Sequence, residues 1–108
     1  MAAEQLTLLE RKRLELARAL ATKPTLLLLD EMAGGLTDSE CQELLTTINL
    51  VKRDGVSIVW IEHVVHVLIA FVDRLLVINF GKRLAEGEPQ VVMADTAVQE
   101  VYMGIEAK

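Results

Sequence analysis

Leu26-Leu27-Leu28-Leu29-Asp30-Glu31 decides the reading of this chain: four leucines follow Pro24 and Thr25 and stop at two adjacent carboxylates. A short apolar run bounded by breakers is the pattern of a strand in a parallel sheet, buried on both faces. Ligands of such sheets bind beyond the carboxyl ends of the strands, which is where Asp30 and Glu31 fall. Leu29 is expected to hold the base of the pair in the core. Two carboxylates so placed suit a hydrated magnesium ion and a polarised water beside a nucleotide phosphate. The plainer alternative is a buried strand followed by a solvated acidic turn.

On the N-terminal side, Thr7-Leu8-Leu9-Glu10 matches a capping box, with Thr7 as N-cap and Glu10 reaching back. The helix it starts is expected to run to about Thr22, with Leu9, Leu14, Leu16, Ala17, Leu20 and Ala21 as a broad apolar face. Arg11, Lys12, Arg13 and Arg18 read as its solvated side. Beyond the carboxylates, Met32-Ala33-Gly34-Gly35-Leu36 is a loop whose paired glycines permit close backbone approach or positive φ. Thr37-Asp38-Ser39-Glu40 is a second capping box, and Cys41, Leu44, Leu45, Ile48 and Val51 then recur at helical spacing up to Gly55, a fitting C′ residue.

Val56 to Ile61 is a second apolar strand, rich in β-branched residues and ending in Glu62-His63. Val64 to Phe71 reads as a short helix, and Leu75 to Ile78 as a third strand. Asn79-Phe80-Gly81-Lys82 is a tight turn into a strand around Arg83 to Glu86, a hairpin signal. Gly87 and Pro89 lead into one or two short helices ending near Met103. The result is an α/β chain of parallel strands with flanking helices and a C-terminal hairpin. The first two strands and the helix between them form a βαβ unit, with a right-handed crossover expected and His63 at the same sheet edge as Asp30.

The 108 residues give a single modest domain, and 52% hydrophobic with 25% charged residues is a globular composition. A net charge of −5 argues against a nucleic-acid partner. The lone Cys41 excludes an internal disulfide and a multi-cysteine metal site, as suits a reducing cytosol. No apolar run approaches the length of a membrane span. His63 and His66 are spaced as a metal pair, but no third ligand accompanies them at a metal-site spacing, so His66 reads as a helical surface histidine.

The order of these segments resembles the C-terminal part of an ABC-transporter ATPase nucleotide-binding domain, a P-loop NTPase fold of the RecA-like kind. The resemblance runs from about Leu6 to the end of the chain. Ile61-Glu62-His63, Asn79-Phe80-Gly81-Lys82 with Ala85-Glu86-Gly87, and Val101-Tyr102-Met103-Gly104 are most like the branched-chain amino-acid importers. The resemblance implies ATP and magnesium as cofactors of the complete domain. It makes Asp30 the Walker B magnesium residue, acting through water, and Glu31 the general base or water-positioning carboxylate. Gly34, Gly35, Leu36 and Thr37 match the D-loop that crosses to a partner ATPase, and His63 matches the switch histidine facing the γ-phosphate. Transmembrane permease subunits, a second ATPase subunit or a second copy of the chain, and a cytoplasmic place at the inner membrane are the implied partners and location.

The departures are as informative. A phosphate loop Gly-x-x-x-x-Gly-Lys-Ser/Thr is missing, since Leu76 stands five residues before Gly81 and Arg83 follows Lys82. The glutamine-bearing loop is absent too. Leu6 to Glu10 stands at the signature sequence, where Leu9 replaces a glycine and is expected to block a phosphate's approach. Met32 replaces a usual proline, and Thr37 a usual aspartate or asparagine. In the resemblance, the phosphate-loop strand lies between the strand ending at His63 and the strand Leu75 to Ile78. Its absence leaves those two about 10 Å apart, too far to pair directly. Three readings stay open: an ATPase portion inactive by itself, a non-catalytic interaction or oligomerisation module, and an α/β domain with a solvated acidic turn.

Overall fold

In the computed structural model, residues 5–106 are described, with side chains described through Tyr102. They form two compact units, which divide between Val67 and Leu68. In the first, helix α1 (Leu8–Leu20) is followed by strand β1 (Leu26–Asp30), helix α2 (Asp38–Arg53) and strand β2 (Ser57–Ile61). Both capping boxes form as expected: Thr7 and Thr37 each accept from, and are reached by, the glutamate three residues on. Helix α2 ends at Asp54, and Gly55 takes the left-handed conformation (φ +89°) that glycine adopts without a Cβ clash.

β1 and β2 pair in parallel, in a register that sets Leu27 against Ile58, Leu29 against Trp60 and Asp30 against Ile61. Their inner face packs under the helices. Leu27, Leu29 and Trp60 are buried there with Leu9 and Leu16 of α1 and with Cys41, Leu44, Leu45, Ile48 and Val51 of α2. The α2 stripe is thus the predicted one, residue for residue. The α1 face is narrower than its sequence suggests, because Leu14, Ala17 and Ala21 are exposed.

The expectation that β1 and β2 are buried on both faces does not hold. Successive side chains of a strand point to opposite faces, and helices α1 and α2 of the first unit cover only one. Leu26, Leu28 (69% exposed), Val59 and Ile61 (65%) consequently form an open apolar face.

Helix α3 (Val65–Phe71) spans the boundary between the units. In the second unit, β3 (Leu75–Asn79) and β4 (Lys82–Gly87) form an antiparallel hairpin with a register irregularity after Val77. Helices α4 (Pro89–Met93) and α5 (Thr96–Glu106) follow, so the C-terminal region is two helices; Met103 and Gly104 of the terminal motif lie beyond the described side chains. Phe80 and Gly81, both with positive φ, make the two-residue turn that matches strand twist. Leu75, Val92 and Val98 are buried, whereas Leu76 and Ile78 on the other face of β3 are exposed. β2 and β3 belong to separate two-stranded sheets, as expected if a strand that would lie between them is not in the chain.

This distribution predicts two contrasting variants. Ile48 is fully buried, so Ile48→Ala should destabilise the chain by about 2–5 kcal/mol in urea unfolding. Leu28→Lys, on the open face, should change it by less than about 0.5 kcal/mol when both are measured at concentrations where the chain is monomeric. Comparable losses for the two would contradict a one-sided core.

Candidate functional site at the ends of the parallel strands

Because β1 and β2 run in the same direction, their polar termini meet at one edge. Asp30 closes β1 and is exposed, and Glu31 follows it. The Glu31 amide donates to the Ile61 carbonyl (2.8 Å), which extends the parallel ladder one residue past β1. Glu31 itself adopts a left-handed conformation, φ +52°. For a non-glycine residue this conformation costs on the order of 1–2 kcal/mol and persists only where the surroundings enforce it. It directs the Glu31 carboxylate toward β2, where Oε1 lies 3.4 Å from His63 Nδ1. Both side chains are largely exposed, so the pair contributes little to stability, about 0–1 kcal/mol. Its interest is geometric: a carboxylate and an imidazole share one solvent-facing spot, and Asp30 is the residue just before the carboxylate.

Glu62 is one of the two residues whose role the sequence did not reveal. Its side chain is fully buried. One carboxylate oxygen accepts from the Ala33 amide (2.9 Å) and the Trp60 indole (3.3 Å), and the other from the His63 and Val64 amides (3.2 and 3.4 Å). A buried carboxylate with that many donors is satisfied and rigid. It fastens the residue bearing the imidazole to the loop that follows the acidic pair.

Lys12 is the other. Its ammonium donates to the carbonyls of Glu31 (3.2 Å), Met32 and Gly34 (2.9 Å). The expected solvated row of basic residues on α1 therefore has one member turned inward. The signal was available: Lys12 lies three residues after Leu9 and four before Leu16, on the buried stripe of the helix.

The four D-loop candidates are taken up by local structure. Gly34 gives its carbonyl to Lys12. Gly35 has φ +80°, a conformation that favours glycine; a Cβ there would come within 2.8 Å of Leu8 Cδ2, the end of an exposed side chain that can turn aside. The Leu36 amide closes a turn on the Ala33 carbonyl (3.2 Å), and Thr37 caps α2.

At the start of α1, Leu9 does not point outward as an obstruction; it is 7% exposed and packs in the core. What closes this helix terminus is its own capping box. The Glu10 amide is occupied by the Thr7 hydroxyl, and the Thr7 amide by the Glu10 carboxylate. The Thr7 hydrogen bonds hold the Glu10 carboxyl below the usual glutamate range, which keeps a negative charge where an anion would otherwise approach.

His66 lies 3.8 Å from Asp38, apart from the Glu31–His63 pair. Burial pushes the Cys41 thiol up, so it behaves as a small apolar side chain. Among the described residues no group of three or more His, Cys, Asp or Glu side chains could hold a metal alone. Asp30 and Glu31 fit the water-mediated side of a magnesium site, where phosphate and water supply most ligands. For the rest of a nucleotide the sequence Gly-x-x-x-x-Gly-Lys-Ser/Thr, which would line a phosphate site with amides, does not occur among the described residues.

No protein-family profile matches the chain. Individual relatives do. The high-affinity branched-chain amino acid transport ATP-binding protein BraF of Pseudomonas aeruginosa is 34% identical over 96 residues, which is 88% of this chain and 38% of BraF. LivG of Escherichia coli, of the same description, is 36% identical over the same shares. The lipopolysaccharide export system ATP-binding protein LptB of Acidithiobacillus ferridurans is 34% identical over 95 residues, 88% of this chain and 39% of LptB. The fold is similar to the ADP conformation of MJ1267, an ATP-binding cassette of an ABC transporter. The TM-score is 0.85 at 29% identity, over 93% of this chain and 41% of that one. The chain thus spans about two fifths of the length of the relatives it matches. By sequence and by fold together, it corresponds to a part of the ATP-binding proteins of ABC transporters.

Proposed function

We propose that this chain is the C-terminal part of the ATP-binding subunit of an ABC importer, most similar to those for branched-chain amino acids. The observation that carries this reading is the convergence of Glu31 and His63 at 3.4 Å, beside Asp30, at the shared end of two parallel strands. In this reading Asp30 holds magnesium through water, and the ion supplies charge neutralisation for the transferring phosphoryl group. Glu31 orients or deprotonates the attacking water. His63, next to it, donates toward the γ-phosphate. Phosphoryl transfer depends mainly on positioning and electrostatic stabilisation of the phosphates, and residues 1–108 offer the metal and water side only. The chain by itself is therefore proposed to be inactive.

A second reading, the interaction module, is favoured by the open strand faces. Leu26, Leu28, Val59 and Ile61 in one unit, and Leu76 and Ile78 in the other, are aligned rather than scattered, and aligned exposed aliphatics mark surfaces that become covered. We assign the cover, for the isolated chain, to a second copy pairing open faces and free strand edges. In the cell, a partner ATPase, permease subunits and a cytoplasmic position at the inner membrane belong to the same proposal. Leu28→Lys should shift the chain toward a 12.0 kDa monomer in light scattering; a wild type already monomeric at high concentration would contradict the self-pairing.

The nucleotide reading is tested in a chimera that joins the remainder of BraF to this chain in place of the matching segment. Asp30→Asn should weaken magnesium-dependent ATP binding about tenfold or more, and His63→Ala should weaken it further. Purified 1–108 should release no phosphate above its Glu31→Gln variant. Unchanged ATP affinity in both chimera variants would overturn the assignment.

A further inference from the structure

We propose that Lys12 is a positioning residue for Glu31: its ammonium is the centre on which the loop after β1 is folded, and it holds Glu31 in the conformation that faces His63. This rests on the reading of Glu31 and His63 as one functional pair.

Three observations meet at this residue. Lys12 lies on the buried stripe of α1, one turn from Leu9 and one turn from Leu16, so its stem is directed into the first unit rather than to solvent. A lysine ammonium has three hydrogens and no acceptor, and here three backbone carbonyls, of Glu31, Met32 and Gly34, receive them. Carbonyl oxygens gathered around one point repel each other unless a cation sits among them. The chain can gather them only by reversing sharply, with Glu31 at φ +52° and Gly35 at φ +80°.

The loop is gripped from its amide side as well. The Ala33 amide, between the carbonyls that Lys12 takes, donates to the buried Glu62 carboxylate at 2.9 Å. A cation therefore takes the loop's carbonyls and an anion takes its amide. Of the two, only Lys12 touches Glu31 itself, through the carbonyl that its left-handed conformation turns toward α1. The ladder bond from the Glu31 amide to Ile61 fixes the other side of the same peptide geometry. Lys12 touches neither carboxylate nor imidazole in the hydrogen bonds above; it acts on the site through the backbone.

Solution NMR of the whole 108-residue chain tests this without any nucleotide, so its result is independent of whether the chain ever handles ATP. Two signals report position. A left-handed residue gives a strong intraresidue HN–Hα NOE, and the His63 Nδ1 resonance should shift when Glu31 is changed to Gln. In Lys12→Met, which keeps the apolar stem, the Glu31 NOE should fall to the level of its extended neighbours, and Glu31→Gln should no longer move His63 Nδ1. Lys12→Gln retains two donors without the charge and should give a partial loss of both signals; it decides the matter if Lys12→Met does not fold. Lower melting temperatures with both signals at wild-type strength would show that Lys12 only stabilises the fold, and would overturn the proposal.

Discussion

Parallel pairing of β1 with β2 is the constraint on which the first unit depends. Strands running the same way bring equivalent ends to one edge, so a single register, Asp30 against Ile61, places Asp30, Glu31, Glu62 and His63 together. The same constraint requires a helical connection, since parallel strands cannot be joined by a tight turn. α2 supplies it and covers one sheet face with a stripe from Cys41 to Val51. Parallel sheets are ordinarily covered on both faces, and the second cover is not among the described residues. The open face of β1 and β2 is the structural consequence.

Backbone geometry at the strand end connects packing to chemistry. A strained Glu31 is held between a ladder bond to β2 and the Lys12 ammonium on α1, while buried Glu62 secures the loop to the residue that carries the imidazole. Charge-assisted hydrogen bonds of this kind are worth about 1.5–3 kcal/mol each. They readily outweigh the cost of one left-handed residue, so the turn can remain in a single conformation although its functional side chains are exposed.

How much of this was legible in the sequence depended on the range of the interactions. Both capping boxes, the α2 stripe, Gly55 and the Phe80-Gly81 turn were readable because each is settled by residues a few positions apart. The meeting of Glu31 and His63 was readable because two apolar runs ended in polar residues and one helix joined them. Burial on both faces was overread, because a leucine run records what a strand is suited to and not what this chain provides: Leu28 is 69% exposed. Lys12 was assigned to solvent with its basic neighbours, although its spacing from Leu9 and Leu16 pointed inward. Glu62 could not be separated from an ordinary polar strand end until its donors, among them Ala33 from 29 positions away, were known. Leu9 was read both as part of the apolar face of α1 and, from its place in the signature sequence, as a block to phosphate; its burial bears out the first reading.

The central claim is that the metal and water side of a nucleotide site survives at the ends of β1 and β2. Manganese substitutes for magnesium on oxygen ligands and broadens NMR signals near it, so weak binding in fast exchange is sufficient to locate the site. Titrating Mn²⁺ into the labelled chain should broaden the amide and side-chain signals of Asp30, Glu31 and His63 first. Selective broadening elsewhere, for instance at Glu86 and Glu88, with those three residues unaffected, would contradict the account.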